Sequence, residues 1–176
     1  LLLPTLLKTA SAPQADVRIV ALSSDAAKGF MSPSKIELSK VKTKMEDAGG
    51  PARYGQSKLA NLLFAKKLAQ LYPTITSVSI HPGMVSTEIF GKMGAGGLLK
   101  VLFKPIVYFA SYNVEDGAKT QIWAGTGNGV ATGKYYVPFG KESTFKAAED
   151  EKVMNELWEW TTEELKTKGG SDWPKA

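Results

Sequence analysis

The architecture of the chain is indicated most clearly by one short run near its start, Val17-Arg18-Ile19-Val20-Ala21-Leu22. The run is apolar and rich in β-branched residues, a pattern that predicts a buried strand. It ends in Ser23-Ser24-Asp25, which are polar residues where a strand would give way to a loop. A second strand is predicted at Thr76-Ser77-Val78-Ser79-Ile80, after Pro73 closes the helical stretch between the two. Strands that alternate with a helix predict an α/β fold with a parallel sheet.

Polar features follow both predicted strands. The first strand runs into Ser24, and the second runs into His81-Pro82-Gly83-Met84-Val85-Ser86-Thr87. In an open parallel sheet, ligands bind beyond the carboxyl ends of the strands. Ser24 and the Pro82-Gly83 turn would both lie there, facing the start of the helix that carries Tyr54. The sequence therefore predicts a functional site at one edge of the sheet.

The helix between the strands carries a tyrosine and a lysine in the run Tyr54-Gly55-Gln56-Ser57-Lys58. The two residues are four positions apart, so both side chains project from one face of a helix. A cation beside a phenol favours the phenolate, which makes the pair a usable proton donor and acceptor. Such a pair also occurs by chance on solvated helix faces, and its meaning here comes from the polar residues predicted around it.

Taken in order, these elements resemble the short-chain dehydrogenases/reductases. The matching features are the strand that ends in Ser23-Ser24, the spacing of Tyr54 and Lys58, and Pro82-Gly83-x-Val85-x-Thr87 after the next strand. The stretch 54–64 is most similar to the retinol-dehydrogenase-like branch. The resemblance extends from the strand at 17–22 to a helix near position 164. It implies a doubly wound, Rossmann-type parallel sheet with flanking helices.

The resemblance also implies an NAD(P)-dependent oxidoreductase that interconverts an alcohol and a carbonyl on a mostly apolar small molecule. Tyr54 would protonate the carbonyl oxygen as hydride arrives, or deprotonate the alcohol in the reverse direction. Lys58 would favour the deprotonated tyrosine and hydrogen-bond the nicotinamide ribose. Ser24 would donate a hydrogen bond to the substrate oxygen. Ser23 is the alternative if the strand register differs by one residue, because neighbours on a strand face opposite sides.

The cofactor implied by the resemblance is NADP or NAD, with NADP favoured. Tyr54 and Lys58 would meet its ribose, and the loop after the second strand would hold the nicotinamide carboxamide. The residues of that loop implied in cofactor binding are Pro82, Gly83, Val85 and Thr87. Hydride chemistry belongs to the cofactor, and the protein supplies position and electrostatics. No metal site is implied.

The glycine-rich fingerprint that opens a dinucleotide-binding fold does not occur in the chain. The nearest match, Gly94-Ala95-Gly96-Gly97, follows the Pro-Gly loop instead of a first strand. We therefore expect residues 1–176 to form a single partial domain, the C-terminal portion of such a fold, with the N-terminal cofactor half absent. This leaves an alternative function open: a truncated, catalytically silent remnant that associates with another chain through its exposed sheet edge.

The stretch 88–111 corresponds, by the resemblance, to a variable substrate-binding loop. It contains Leu98-Leu99-Lys100-Val101-Leu102-Phe103, which implies an apolar substrate, with peripheral membrane contact and plain core packing as alternatives. It does not predict a membrane span, because Lys100, Lys104 and Pro105 interrupt it within far fewer than about 20 apolar residues.

Composition restricts the classes of partner and location. The chain of 176 residues has no cysteine, which excludes disulfides and agrees with a reducing compartment, so we expect a cytoplasmic protein with membrane association as the alternative. The net charge is +5, but the basic residues are scattered and the densest group, Lys35 to Lys44, is diluted by acidic neighbours. We therefore expect no nucleic-acid partner. The partners expected are a small-molecule alcohol or carbonyl and a second copy of the chain, because family members commonly pair through helices around the Tyr-Lys motif.

The remaining segments are interpreted as scaffold. The single histidine, His81, is predicted to be structural. A Ser-His-Asp hydrolase is not expected, because it would need a histidine placed near Ser23 or Ser24 and the chain has no Gly-x-Ser-x-Gly elbow. The long connection 25–53 is interpreted as an insertion with a short helix around 39–47, with a substrate lid as the alternative. Further predicted elements are a helix from Asn113 to about 124, a last strand at 133–138 and a C-terminal helix over 147–168 closed by Gly169.

Overall fold

The computed structural model describes residues 2–28, 35–85, 112–168 and 173–174. Four strands form one sheet in the order β1-β2-β3-β4. The strands are β1 (Arg18–Leu22), β2 (Thr76–Ile80), β3 (Tyr135–Val137) and β4 (Lys141–Ser143). The helices are α1 (Leu3–Ala10), α2 (Gly50–Leu71), α3 (Val114–Thr126) and α4 (Glu151–Thr167), with short 3-10 helices at Asp25–Ala27 and Lys146–Glu149.

The sheet is mostly parallel, and this confirms the α/β prediction. β1 and β2 pair in parallel over their whole length, from Arg18 opposite Thr76 to Leu22 opposite Ile80. β2 and β3 are also parallel, whereas β3 and β4 form an antiparallel hairpin. Because β1 and β2 are parallel neighbours, the chain between them must cross over the sheet, and α2 is that crossover.

The two faces of the sheet are covered by different helices. On one face the buried Ser77 hydroxyl donates to the Ala65 carbonyl of α2 at 2.8 Å. Leu59 and Leu63 of α2 are fully buried in the same core, which also contains Met154 of α4. On the other face the alternate residues Val78, Ile80 and Tyr136 pack with Ala124 of α3. Both faces of β2 are therefore buried, as expected for a central strand of a doubly wound sheet.

The local sequence explains where the helix that carries Tyr54 and Lys58 begins and ends. Pro51 stands in its first turn, where a proline costs no helical hydrogen bond. The helix ends at Leu71, and Tyr72 then precedes Pro73, which disfavours continuation of the helical backbone. None of the helices in the described ranges combines the length and apolar character required to cross a membrane.

The prediction of a short helix at 39–47 is wrong, because residues 38–42 form turns and Thr43 a bend. The Thr43 hydroxyl donates to the Lys40 carbonyl at 2.7 Å and accepts from the Met45 amide at 3.1 Å, so side-chain bonds replace a helical ladder. Met45 also has a φ of +47°, outside the right-handed helical region.

Two boundaries near the C-terminus also differ from expectation. The strand predicted at 133–138 is β3, but it is not the last strand, because a turn with Gly140 at a φ of +77° leads into β4. The C-terminal α-helix begins at Glu151 rather than 147, since Asp150 accepts the Val153 amide at 3.1 Å and caps it there. The predicted cap at Gly169, the substrate loop at 88–111 and Thr87 lie outside the described residues.

Candidate active site

The two serines at the end of β1 have different roles in the structure. The Ser23 side chain is 2% exposed, and its hydroxyl donates to the Lys58 carbonyl of α2 at 2.7 Å. Ser24 is partly exposed and caps the 3-10 helix, where its hydroxyl oxygen accepts the Ala26 amide at 3.2 Å. Because that bond uses a lone pair, the Ser24 hydroxyl keeps its own proton free for a further acceptor. The geometry thus fits Ser24, rather than Ser23, as a donor to a ligand.

Tyr54 and Lys58 lie near the start of α2, as the sequence spacing predicts. Tyr54 is 41% exposed, so its phenol can meet a ligand. The Lys58 ammonium lies 5.5 Å from the centroid of the Tyr54 ring, and it donates to the Leu22 carbonyl at 3.3 Å. The helix therefore presents its tyrosine and lysine together, beside the end of β1 that leads into Ser24.

The loop after β2 is held by close contacts that require glycine at position 83. Gly83 has a φ of +89°, and a Cβ there would lie 2.6 Å from carbon atoms of the Tyr112 ring and 2.9 Å from Pro138. Both the backbone conformation and the space exclude a larger residue. Gly83 thus lies against Tyr112 and against Pro138 in the turn after β3.

Val85 continues the same loop and joins it to α3. It forms a parallel bridge with Tyr112, whose amide donates to the Met84 carbonyl at 2.6 Å. The Val85 side chain packs so closely on α3 that a Cβ on Gly117 would lie 2.5 Å from it. Because the Val85 side chain packs against Gly117, Val85 could contact a ligand only through its backbone.

A polar cluster beside Ser24 was not predicted from the sequence. Asp25 accepts from Tyr135 at 2.8 Å and pairs with Lys28 at 2.8 Å, and His81 lies 4.0 Å from it. The sequence did mark Asp25 and His81 as residues that follow strands. Tyr135 and Lys28 gave no signal, because they come near Asp25 only through sheet pairing and the 3-10 turn.

Burial and neighbouring charges shift the titration of this cluster. Burial raises the pKa of Asp25, but hydrogen bonds from Lys28 and Tyr135 and the charge of His81 outweigh it, and the net pKa is below the ordinary value. Burial lowers the pKa of His81 more than the charge of Asp25 raises it. Burial and the bond to Asp25 raise the pKa of Tyr135 well above the usual range. His81 is thus neutral near pH 7, in keeping with a structural residue.

The donors at this edge are side chains that can hydrogen-bond oxygen atoms of a ligand. Ser24 has a free hydroxyl proton, Tyr54 has an exposed phenol, and Lys58 has an ammonium with three N–H groups, of which the structure shows one bound to Leu22. In the described ranges, no group of histidine, aspartate and glutamate is arranged to hold a metal ion.

Comparison with known proteins places these features in a family. No family model matches the chain. The chain is 31% identical to the short-chain dehydrogenase/reductase drtF of Aspergillus calidoustus over 163 residues, which are 85% of this chain and 50% of that protein. It is 32% identical to an uncharacterized oxidoreductase of Schizosaccharomyces pombe over 169 residues, 92% of this chain and 49% of that protein.

A human relative agrees with this placement, and a solved structure has a similar fold. Dehydrogenase/reductase SDR family member 13 of Homo sapiens is 34% identical over 110 residues, 60% of this chain and 29% of that protein. An uncharacterized protein of Mycobacterium paratuberculosis has the same fold, with a TM-score of 0.60 at 20% identity over 90% of this chain and 52% of that chain. The chain thus spans about half the length of the curated relatives that it matches along most of its own length. With the parallel sheet and the Tyr54-Lys58 helix in place, these similarities show that the chain belongs to the short-chain dehydrogenase/reductase family.

Proposed function

We propose that the protein is an NAD(P)-dependent oxidoreductase that interconverts an alcohol and a carbonyl on a mostly apolar small molecule. One observation carries the proposal: two hydrogen bonds join the end of β1 to Lys58, one helical turn after Tyr54. Ser24 follows that end of β1, and Tyr54 lies beside Lys58, which supports a site made of a hydroxyl, a phenol and an ammonium at the sheet edge where ligands of such folds bind. Family membership supports the same chemistry.

Each of the three residues has a part that its surroundings support. Tyr54, with its exposed phenol, transfers the proton to or from the substrate oxygen. Lys58 holds a positive charge 5.5 Å from the Tyr54 ring and can donate a hydrogen bond to the cofactor ribose. Ser24 donates its free hydroxyl proton to the same substrate oxygen and stabilises charge that develops there. The nicotinamide, when bound, supplies or accepts the hydride.

The cofactor contacts that we propose follow the family resemblance. Tyr54 and Lys58 meet the ribose, and the carboxamide is held by the loop after β2, with Pro82, Gly83, Val85 and Thr87 as its residues. The tight packing of Gly83 and Val85 supports this assignment, because it fixes the loop backbone beside the site. NADP is favoured over NAD by the resemblance.

The remaining parts of the proposal concern the surroundings of the site. We assign residues 1–176 to one partial domain and the stretch 88–111 to the substrate loop. Its apolar sequence supports an apolar substrate and leaves peripheral membrane contact as a further role. We propose a cytoplasmic homo-oligomer that does not bind nucleic acid.

The proposal is tested by Tyr54→Phe in the full-length gene product. Turnover of a carbonyl substrate with reduced nicotinamide cofactor should fall by roughly 10²–10⁴-fold, because the proton donor is lost. The matched control is Tyr72→Phe, which removes a hydroxyl that bonds the Pro174 carbonyl at 2.8 Å, away from the site. That control should keep its turnover. Near-normal turnover in a folded Tyr54→Phe protein contradicts the assignment.

A catalytically silent partner of another chain is the second candidate function. The observation that favours it is the outer edge of β1, which no other described strand pairs. An unpaired apolar edge is a template for strand addition. Stoichiometric binding of a reduced nicotinamide dinucleotide separates the two candidates, since only the oxidoreductase needs it.

A further inference from the structure

One carbonyl oxygen at the site receives two side-chain donors from α2. The Leu22 carbonyl accepts from Asn61 at 2.9 Å and from Lys58 at 3.3 Å. Asn61 follows Lys58 by three positions, so both residues lie on the same side of the helix. The shorter bond belongs to Asn61, a residue to which the proposed reaction gives no part.

The Leu22 carbonyl is available to α2 because of the way β1 pairs. The Thr76 amide donates to the Val17 carbonyl, and the Ser23 amide donates to the Ile80 carbonyl, so odd-numbered residues of β1 turn their polar groups toward β2. Neighbouring residues on a strand turn theirs the opposite way. Leu22 therefore directs its carbonyl to the outer edge, where the described residues include no strand to bond it.

The two donors have different chemistry. A carbonyl oxygen has two lone pairs and can accept from both, while an ammonium has three donors and is mobile on a long stem. If Lys58 turns toward a ligand, its bond to Leu22 breaks. With Asn61 in place, the carbonyl keeps a donor and the loss is small. Without Asn61, the departure of Lys58 would leave the exposed carbonyl to water, and the last side-chain bond between α2 and Leu22 would be lost, which costs about the net free energy of one hydrogen bond.

We infer that Asn61 is a positioning residue that holds the Leu22 carbonyl, so that the Lys58 ammonium is free to leave it for the ribose and for Tyr54. The inference rests on the proposed function, since it concerns the lysine of that site. Asn61 acts through Lys58 and touches neither substrate nor cofactor. An amide suits this task, because it donates to the carbonyl without adding a charge that would hold the ammonium.

The test compares Asn61→Ala and Asn61→Asp with Gln70→Ala in the full-length gene product. Gln70 is an exposed amide on the same helix, and no side-chain bond to it is found among the described residues. The first readout is the Kd for a reduced nicotinamide dinucleotide, measured by its fluorescence. We expect about a tenfold weaker Kd for Asn61→Ala. Asn61→Asp should bind still more weakly, because its carboxylate accepts from Lys58 and holds it. Gln70→Ala should bind as the unaltered protein does.

The second readout is the 13C resonance of the Leu22 carbonyl, which reports hydrogen bonding to that oxygen. In the unaltered protein, addition of the dinucleotide should leave the resonance nearly in place, since Asn61 remains bonded. In Asn61→Ala the same addition should move it upfield as Lys58 departs. If Lys58 stays on the Leu22 carbonyl when the dinucleotide binds, no such ligand-dependent shift occurs, and Asn61 then has no lysine to release.

The possible results separate the inference from the function on which it rests. The inference is overturned, and the proposed function stands, if Asn61→Ala binds the dinucleotide with the unaltered Kd and the dinucleotide does not shift its Leu22 carbonyl resonance. If the unaltered protein fails to bind the dinucleotide, the proposed function falls with the inference. Weaker binding together with the upfield shift supports both.

Discussion

Residues of one type take different roles at this site because their partners differ. Ser23 and Ser24 are neighbours, yet the Ser23 hydroxyl is buried against the Lys58 carbonyl while the Ser24 hydroxyl caps a short helix at the surface. The difference follows from strand alternation, which sends one side chain toward α2 and the next away from it. Ser23 thus stabilises the contact between helix and strand on which the position of Ser24 depends.

His81 leads to a prediction at the same scale. As the only histidine in the chain, it gives a single imidazole signal in an NMR titration. Burial lowers the pKa of His81 despite the charge of Asp25, so the titration should give a value below about 6.5. The unfolded chain then takes up the proton first as the pH falls. The contribution of the neutral His81 to the free energy of unfolding is complete above about pH 6.5. It is lost as the pH drops toward the folded-state pKa of His81.

The control for this prediction is His81→Gln, which cannot titrate. The free energy of unfolding, measured in urea between pH 7 and pH 5, should fall less steeply in that variant. The acid-sensitive contribution of Asp25 lies in a separate and lower range, because its pKa is below its ordinary value. A measured His81 pKa at or above about 6.5 would show that burial does not dominate the titration of this imidazole.

At the scale of elements, the position of α3 depends on a close contact between Gly117 and Val85, which leaves no room for a side chain at position 117. The helix begins where the sequence predicts, with the Asn113 side chain accepting the Asp116 amide at 2.7 Å. Its distance from the loop after β2 is set by Gly117, against which Val85 packs. The start of α3 and the proposed carboxamide loop are therefore held together by one glycine.

Gly117→Ala should destabilise the protein by about 1–3 kcal/mol, because the new Cβ would lie 2.5 Å from Val85. The matched control is Gly125→Ala on the same helix, where a Cβ meets nothing within 4 Å. That control should gain up to about 1 kcal/mol from helix propensity. Adding Val85→Ala to Gly117→Ala should recover part of the loss, since the clash is removed. Urea unfolding measures all three. Equal stability of Gly117→Ala and Gly125→Ala would rule out the tight contact.

At the scale of the whole molecule, the two edges of the sheet differ in character. β4 is short and carries the exposed Lys141 and Glu142, which protect an edge from pairing. β1 is apolar, and its outer edge is bonded in the described structure by the side chains of Lys58 and Asn61 at Leu22. The described residues include no strand that pairs with this edge.

Hydrogen exchange tests this view of the β1 edge. In the isolated 176-residue chain, amides of Ile19 and Ala21 should be protected, because they point toward β2, whereas those of Val20 and Leu22 should exchange faster. Any strand that pairs with the outer edge, for example from a second chain, should slow exchange at Val20 and Leu22. Equal protection of all four amides in a monomeric isolated chain would show that the edge is already covered.

Much of the fold could be predicted from local pattern. The runs at 17–22 and 76–80 are strands, the stretch between them ends in a long helix, and Asn113 caps the next. The predictions were wrong where a side chain hydrogen-bonds the local backbone, or where a strand is too short to show alternation of apolar and polar residues. Thr43 breaks the helix expected at 39–47, and β4 has only three residues with no alternation.

The sequence by itself determined the strand–helix–strand order and the placement of Tyr54, Lys58 and Ser24 on its elements, because periodicity and spacing act over a few residues. Only the tertiary structure decided which serine is buried, that Asp25 meets Tyr135, and that Asn61 shares the Leu22 carbonyl with Lys58. These contacts join residues 35 to 110 positions apart. Their partners are chosen by sheet register and helix packing, which no local pattern specifies.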